Sequence, residues 1–236
     1  MTNMRDLANC SKNASEAIVA IGQTVHKENL LDCVILSRNA EKHRKRLCHI
    51  HDLEFYDITY NCIGVHVQDL VKKTTLSFES MLRALHRGIV KLTNRQSGGI
   101  GFINFDTEAA SYLRNESDEE IIAAFQEFFM DLNLPTRKGC EKPYVTLNFG
   151  LDTSVAGRRI ASLLLAAFEK GQEGGKPFMF PNLVFKIKKS VNASVDSPNY
   201  DIYRQALSVT ANRMIPTYFN CDQTANLNYA AETIGI

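Results

Sequence analysis

In residues 144–220 the sequence alternates short β-rich runs with long helical patterns, and that alternation leaves few folds open. Residues 144–149, 183–187 and 218–220 are rich in aromatic and β-branched side chains. Between them, residues 158–170, closed by Gly171, and residues 201–213 carry apolar positions at helical spacing. Strands separated by helices of about 10–15 residues form βαβ units, and right-handed crossovers then build a parallel sheet. Residues 233–236 read as the start of a further strand. Pro143 and Pro181 stand where strands begin, a position at which the missing N–H of proline costs little. The second half of the chain is therefore α/β.

The first 47 residues read as helical. Ala14, Ala17, Ile18 and Ile21, then Leu30, Leu31, Val34 and Ile35, recur at three- and four-residue steps. Lys42, His43, Arg44, Lys45 and Arg46 end the second helix, where cations suit the negative end of the helix dipole; contact with a nucleotide phosphate is the minority reading. Helical patterns follow at residues 65–73 and 76–92, then a glycine-rich turn at residues 96–102. Ser117 and Glu120 fit a capping box that opens a helix with Ile121, Ile122, Phe125, Phe128 and Phe129 on one face, and Pro135 closes it.

Composition excludes several classes. With 236 residues, 44% hydrophobic and 22% charged, the chain is an ordinary globular one, long enough for one large or two small domains. A net charge of +1 supplies no bulk field for nucleic acid or an anionic membrane, although small phosphorylated ligands remain compatible. No apolar run approaches the roughly 20 residues a bilayer requires. Arg5, Asp6, Lys12 and Glu16 interrupt the N-terminus, so no secretory leader is read and a cytoplasmic location is expected. Cys10, Cys33, Cys48, Cys62, Cys140 and Cys221 then read as thiols, and without a CxxC pair a four-cysteine zinc site is not indicated.

Three segments are dense in chemistry. In Cys48-His49-Ile50-His51-Asp52-Leu53 an extended backbone would point His49 and His51 to one face, to bind a metal or hold a substrate oxygen, with Asp52 on the other. The bland alternative has the imidazoles satisfying buried carbonyls; with no third ligand at motif spacing, metal is rejected. Cys62 and Cys221 each follow an asparagine at a predicted strand end, where a parallel sheet presents ligand-binding side chains. A thiol there suits redox or radical chemistry, and equally suits packing. Gln96-Ser97-Gly98-Gly99-Ile100-Gly101-Phe102 offers unobstructed amides to a ligand but matches neither a Walker A nor a G-x-G-x-x-G pattern, and a plain tight turn explains it as well.

Taken in order, the segments resemble the catalytic, glycyl-radical subunit of the class III anaerobic ribonucleoside-triphosphate reductases. The blocks are His49-Ile50-His51-Asp52-Leu53 with Asn61-Cys62, then Gly98-Gly99, Ile103-Asn104-Phe105-Asp106 and Pro143-Tyr144-Val145-Thr146-Leu147-Asn148-Phe149-Gly150. Phe180-Pro181-Asn182-Leu183-Val184-Phe185-Lys186, residues 196–201 and residues 213–222 continue the series. The resemblance implies a partial ten-stranded α/β barrel, about one half-barrel of five parallel strands, with residues 1–47 as preceding helices and 48–236 as the incomplete barrel. It implies reduction of ribonucleoside triphosphates by a thiyl cysteine generated from a glycyl radical, with formate as electron donor. Cys62 matches the second active-site cysteine, which assists ribose reduction from the face opposite the thiyl. Asn61, Gly98, Gly99, Gly101 and Thr146 are expected to position substrate, with His49 and His51 orienting it. The implied partners are deoxynucleotide and ATP effectors, a second copy of the chain, and an activase that uses S-adenosylmethionine and an iron-sulfur cluster; neither nucleic acid nor membrane is expected.

The departures from the family pattern carry expectations of their own. The Met-Gly-Cys-Arg-like thiyl segment, the radical-glycine loop and the C-terminal zinc site have no counterpart in the 236 residues, and there is no room for an N-terminal ATP cone. The short span between Cys62 and Gly98 indicates a compact subtype. The chain is therefore expected to be an N-terminal fragment, inactive until a C-terminal polypeptide supplies the thiyl cysteine and radical glycine. The apolar residues 233–236 are expected to leave an open sheet edge. The alternative is a non-catalytic nucleotide-binding or dimerising module. A glycyl-radical relative acting on a small carbon substrate is disfavoured by residues 49–52 and 180–186.

Overall fold

The computed structural model describes residues 14–134 and 143–226, so Cys10, Pro135, Cys140 and the strand expected at residues 233–236 lie outside the described residues. Two compact units divide the chain, with the main boundary after Asn61.

The first unit holds α1 (Ala14–Cys33), α2 (Ser37–Arg44) and a 3-10 turn at Leu53–Phe55. Its small core is Leu30, Leu31, Ala40 and Leu53, with Ile35 and Ile50 packed against it. Arg44 in the last turn of α2 reaches Asp32 at 2.6 Å and Glu28 at 3.3 Å on α1, which fixes the crossing of the two helices. Lys42, His43 and Arg44 occupy that last turn, as the dipole argument expects. Ile18, Ile21 and Val34, part of the apolar periodicity, are exposed.

The second unit is a five-stranded, wholly parallel sheet in the order β1 (Ile63–Val65), β2 (Ile100–Phe102), β3 (Val145–Phe149), β4 (Asn182–Ile187) and β5 (Thr217–Asn220). Between strands run α3 (Val67–Leu70) and α4 (Phe78–Thr93), α5 (Phe105–Ala110) and α6 (Asp118–Leu132), α7 (Val155–Lys170), and α8 (Tyr200–Arg213). Strands that pair in sequence order through crossovers of one hand must carry their helices on one side. Accordingly α4 packs on α6, α6 on α7 and α7 on α8 as one layer.

Local chemistry sets the helix ends. Ser117 Oγ accepts from Glu120 N at 3.2 Å while the Glu120 carboxylate accepts from Ser117 N at 2.7 Å, the expected capping box. The helix read from residue 158 begins earlier, at Val155, because Ser154 caps it by accepting from Gly157 N at 3.0 Å. It ends at Gly171, whose φ of 73° suits a residue without Cβ.

Two strands correct the sequence reading. Ile63-Gly64-Val65 adjoins what read as a helix, and Ile100-Gly101-Phe102 sits inside what read as a glycine-rich turn. Each has three residues with glycine at its centre, too short for a period-two signal and weakened by the glycine; pairing with neighbours makes them strands.

The sheet has two unlike faces. Ile63, Val65, Ile100, Phe102, Val145, Leu147, Phe149, Leu183 and Phe185 join the core beneath the helix layer. There Phe78 and Phe125 meet edge-to-face at 5.1 Å, and Phe129 meets Phe178 at 5.4 Å. The alternate positions, Gly64, Gly101, Thr146, Asn148, Asn182, Val184, Lys186, Thr217 and Phe219, point the other way and stand outside that core.

Candidate active site

Parallel sheets ordinarily bury both faces and show near-continuous apolar strands. Here the second face carries glycine, threonine, asparagine and lysine alongside Val184 and Phe219, and the sequence-predicted site residues Gly101 and Thr146 lie on it. Register places Gly64 beside Gly101, Gly101 beside Thr146 and Thr146 beside Asn182. Cys62, two residues before Gly64, is exposed, and Gly99 N donates to its Sγ at 3.3 Å. Cys62, Gly98, Gly99, Gly101 and Thr146 thus gather at the N-terminal ends of β1 to β3. Glycine at two adjacent strand centres lets a ligand approach the backbone without meeting a side chain.

A cleft of about 260 Å³ continues this face across β3, β4 and β5, lined by Tyr144, Thr146, Asn182, Val184, Thr217 and Phe219. Thr146 is fully buried, and its Oγ1 has no hydrogen-bond partner among the described residues. A buried hydroxyl left unmatched costs roughly 1–3 kcal/mol, and this one belongs to a residue that borders the cleft.

Cys62 corrects the expectation for the two thiols: it precedes β1, whereas Cys221 follows β5 and is buried. In a parallel sheet they stand at opposite ends of the strands. The reversal follows from β1 lying after Cys62, at residues where the sequence pattern shows no strand.

His49, His51 and Asn61 belong to the first unit. The two imidazoles lie 5.8 Å apart, as their shared spacing suggests, and both are exposed. Asp52 departs from the extended expectation: its φ of 51° turns the carboxylate back to 3.4 Å from His51 Nε2. Among the described residues no group of three or more His, Cys, Asp or Glu side chains is placed to hold a metal ion, and no helix is long and apolar enough to cross a membrane.

The sequence reading missed a buried polar network at the opposite end of the same strands. Asp106 accepts from Gly150 N at 2.8 Å and Thr107 N at 3.0 Å, and burial, against those two bonds, pushes its carboxyl up to about 6. Gly150 O accepts from Asn192 at 2.9 Å and Asn199 at 3.2 Å. Gly150 has φ of 111°, and a Cβ there would lie 2.9 Å from the Phe185 ring, so only glycine fits this hub. Asn148 Nδ2 donates to Phe102 O at 3.0 Å. Lys186, fully buried, extends past β3 to donate to Ile103 O at 2.8 Å and Asn104 Oδ1 at 3.1 Å, and burial lowers its ammonium below the ordinary value. The available signal was polar residues at alternate positions of otherwise apolar strands: Thr146 and Asn148 in β3, Asn182 and Lys186 in β4.

A family profile described as anaerobic ribonucleoside-triphosphate reductase matches residues 6–234. The chain belongs to the anaerobic ribonucleoside-triphosphate reductase family. The reductase of Salmonella typhimurium is 34% identical over 127 residues, covering 53% of this chain and 18% of that protein. The reductase of Enterobacteria phage T4 is 24% identical over 211 residues, covering 74% of this chain and 35% of the phage protein. A solved structure of the anaerobic ribonucleotide reductase from Thermotoga maritima with citrate in the active site superposes with a TM-score of 0.68 at 14% identity, covering 98% of this chain and 50% of that one. The same enzyme in complex with dATP and CTP gives 0.68 at 13% identity, with 97% and 46% covered. These matches establish the reductase fold for the sheet and its helices. The chain spans half or less of each of these relatives.

Proposed function

We propose that these residues form the Cys62-bearing half-barrel of a class III anaerobic ribonucleoside-triphosphate reductase, reducing ribonucleoside triphosphates to deoxyribonucleoside triphosphates in the assembled enzyme. The observation that carries this reading is the second face of the sheet, where Cys62, the glycines of β1 and β2, and the unmatched Thr146 hydroxyl share one surface. Gly64 and Gly101 leave space for a ribose against the backbone. Thr146 Oγ1 gives one sugar hydroxyl a partner, and the Gly99 amide holds Cys62 Sγ in place beside it. Cys62 then assists reduction from the face opposite the thiyl cysteine. A glycyl radical installed by the activase supplies the one-electron chemistry, with formate as reductant. Deoxynucleotide effectors and pairing of two copies belong to the same proposal, as does a cytoplasmic location.

The reaction needs a thiyl cysteine and a radical glycine beyond the blocks matched here, so the 236 residues by themselves are expected to form no deoxyribonucleotide. Joined to a polypeptide carrying both groups and treated with the activase, they are expected to do so. Cys62→Ala in that assembly should keep the glycyl-radical signal in electron paramagnetic resonance and lose ribose reduction. Retained reduction would remove Cys62 from the mechanism, and turnover by the chain alone would overturn the whole reading.

A further inference from the structure

In the first unit an imidazole holds the loop that follows α2. Between Leu47 and the 3-10 turn at Leu53–Phe55, Ile50 N donates back to His43 Nδ1 at 3.1 Å. That bond accompanies packing of the Ile50 side chain against the small core of Leu30, Leu31, Ala40 and Leu53. A backbone N–H only donates, so Nδ1 must be bare and the neutral ring carries its proton on Nε2. A protonated imidazole has an N–H on both nitrogens, and its Nδ1 would face Ile50 N as a second donor. The contact therefore exists in one charge state of His43.

The segment that this bond anchors is bounded by two residues in the left-handed region, Arg46 with φ of 58° and Asp52 with φ of 51°, a conformation that a Cβ disfavours. Leu47, Cys48 and His49 between them are exposed. Charges around the ring act in one direction. From α1, Lys27 and Glu28 face it, and Glu28 is engaged by Arg44 of α2, which Asp32 also holds. From the segment beyond α2, Arg46 and Cys48 border the same open cavity as His43, and the His49 ring lies 5.7 Å from it. His51 follows at 5.8 Å from His49, with Asp52 3.4 Å from its Nε2. Burial, then the Lys27 ammonium, then His49 hold His43 below its ordinary value, and Glu28 opposes them. Acid thus adds charge to a row of three imidazoles that already stands beside Lys27, Arg44 and Arg46.

We propose that His43 is an acid-sensitive latch: protonation of its ring breaks the bond to Ile50 N and frees residues 47–51 to swing away from α2, uncovering Leu31 and Ile50. The closed form favours the neutral ring. Its contribution to stability is therefore complete above the unfolded value and is lost as pH falls through the lower folded one. The latch lies wholly within the first unit, uses no residue of the sheet face and is independent of the reductase reading.

Nuclear magnetic resonance of the full chain between about pH 7.5 and about pH 5 tests this. At the upper end His43 is expected as the Nε2–H tautomer. As the pH falls, protection of the Ile50 amide against hydrogen exchange, referred to an unstructured peptide at each pH, should drop by about tenfold or more with the midpoint of the His43 ring titration. The Leu147 amide of β3 should stay protected, which separates opening of the loop from unfolding of the chain. His43→Asn offers an amide oxygen near the place of Nδ1 and has no charge to gain, so Ile50 should remain protected in acid. His49→Gln removes a neighbouring positive charge and should move the His43 and Ile50 midpoints upward together. If His43→Asn does not fold, judged by the Leu30 and Leu31 methyl resonances, the joint movement in His49→Gln decides. The proposal fails if His43 is the Nδ1–H tautomer, if Ile50 stays protected while His43 titrates, or if the two midpoints separate in His49→Gln. It fails equally if folded His43→Asn loses Ile50 protection as the parent does, or if Leu147 loses protection with the same midpoint.

Discussion

Asp106 shows how one residue can be read at two levels. Its carboxyl is fully buried and held near 6 rather than at the ordinary 3.8, so the folded state binds its proton more tightly than the unfolded chain does. Stability contributed by the protonated form is complete below the unfolded value and is lost as pH rises through about 6. The loss from this group amounts to roughly 3 kcal/mol. Chemical denaturation from about pH 4 to about pH 7 should show that decline, and Asp106→Asn should flatten it. An unchanged slope in the variant would mean that other groups set it. Thr146 has the opposite profile: its hydroxyl is buried without a partner. Thr146→Val should leave the folded chain as stable or raise its stability by about 1 kcal/mol, while raising KM for the ribonucleotide in the assembled reductase. A clear loss of stability would show that the hydroxyl is matched inside the protein.

Among the elements, α6 owes its start to chemistry confined to four residues. Ser117→Ala removes the oxygen that accepts from Glu120 N and should lower the unfolding free energy by about 1 kcal/mol in urea titration. A larger drop would indicate that the cap also supports tertiary contacts. The signals for α6, α7 and β3 were legible because each lies within a few residues: a capping box, helical apolar spacing closed by Gly171, and an aromatic and β-branched run. β1 and β2 had no such signal. Their backbone bonds come from residues well separated in sequence, such as Ile63 N to Gly99 O at 2.9 Å and Ile100 N to Tyr144 O at 2.8 Å. The same distance hid part of the site. Cys62, Gly99 and Thr146 could be named individually, but their meeting on one face required the register of β1 to β3.

For the whole molecule, the division of labour between the two faces of the sheet matters most. One face is sealed by a continuous helix layer and an aromatic core; the other carries small and polar residues and a cleft. β5 pairs with one strand among the described residues, and Thr217 on it is exposed. An edge of that kind invites pairing with another chain. If this edge pairs two copies, Thr217→Lys should lower the mass seen in light scattering without changing the circular dichroism spectrum. Unchanged association would place the contact elsewhere.

The sequence by itself determined the α/β class, the parallel sheet of the second half, the start of α6, the close of α7 at Gly171 and the reductase family, because periodicity, caps and ordered motifs are written in neighbouring residues. The tertiary structure alone decided that Cys62 opens a strand while Cys221 closes one, that Gly64 and Gly101 are strand centres, and that Asp106 and Lys186 are buried. Those properties depend on which distant segments supply hydrogen bonds and exclude water, and no short stretch of chain contains that information.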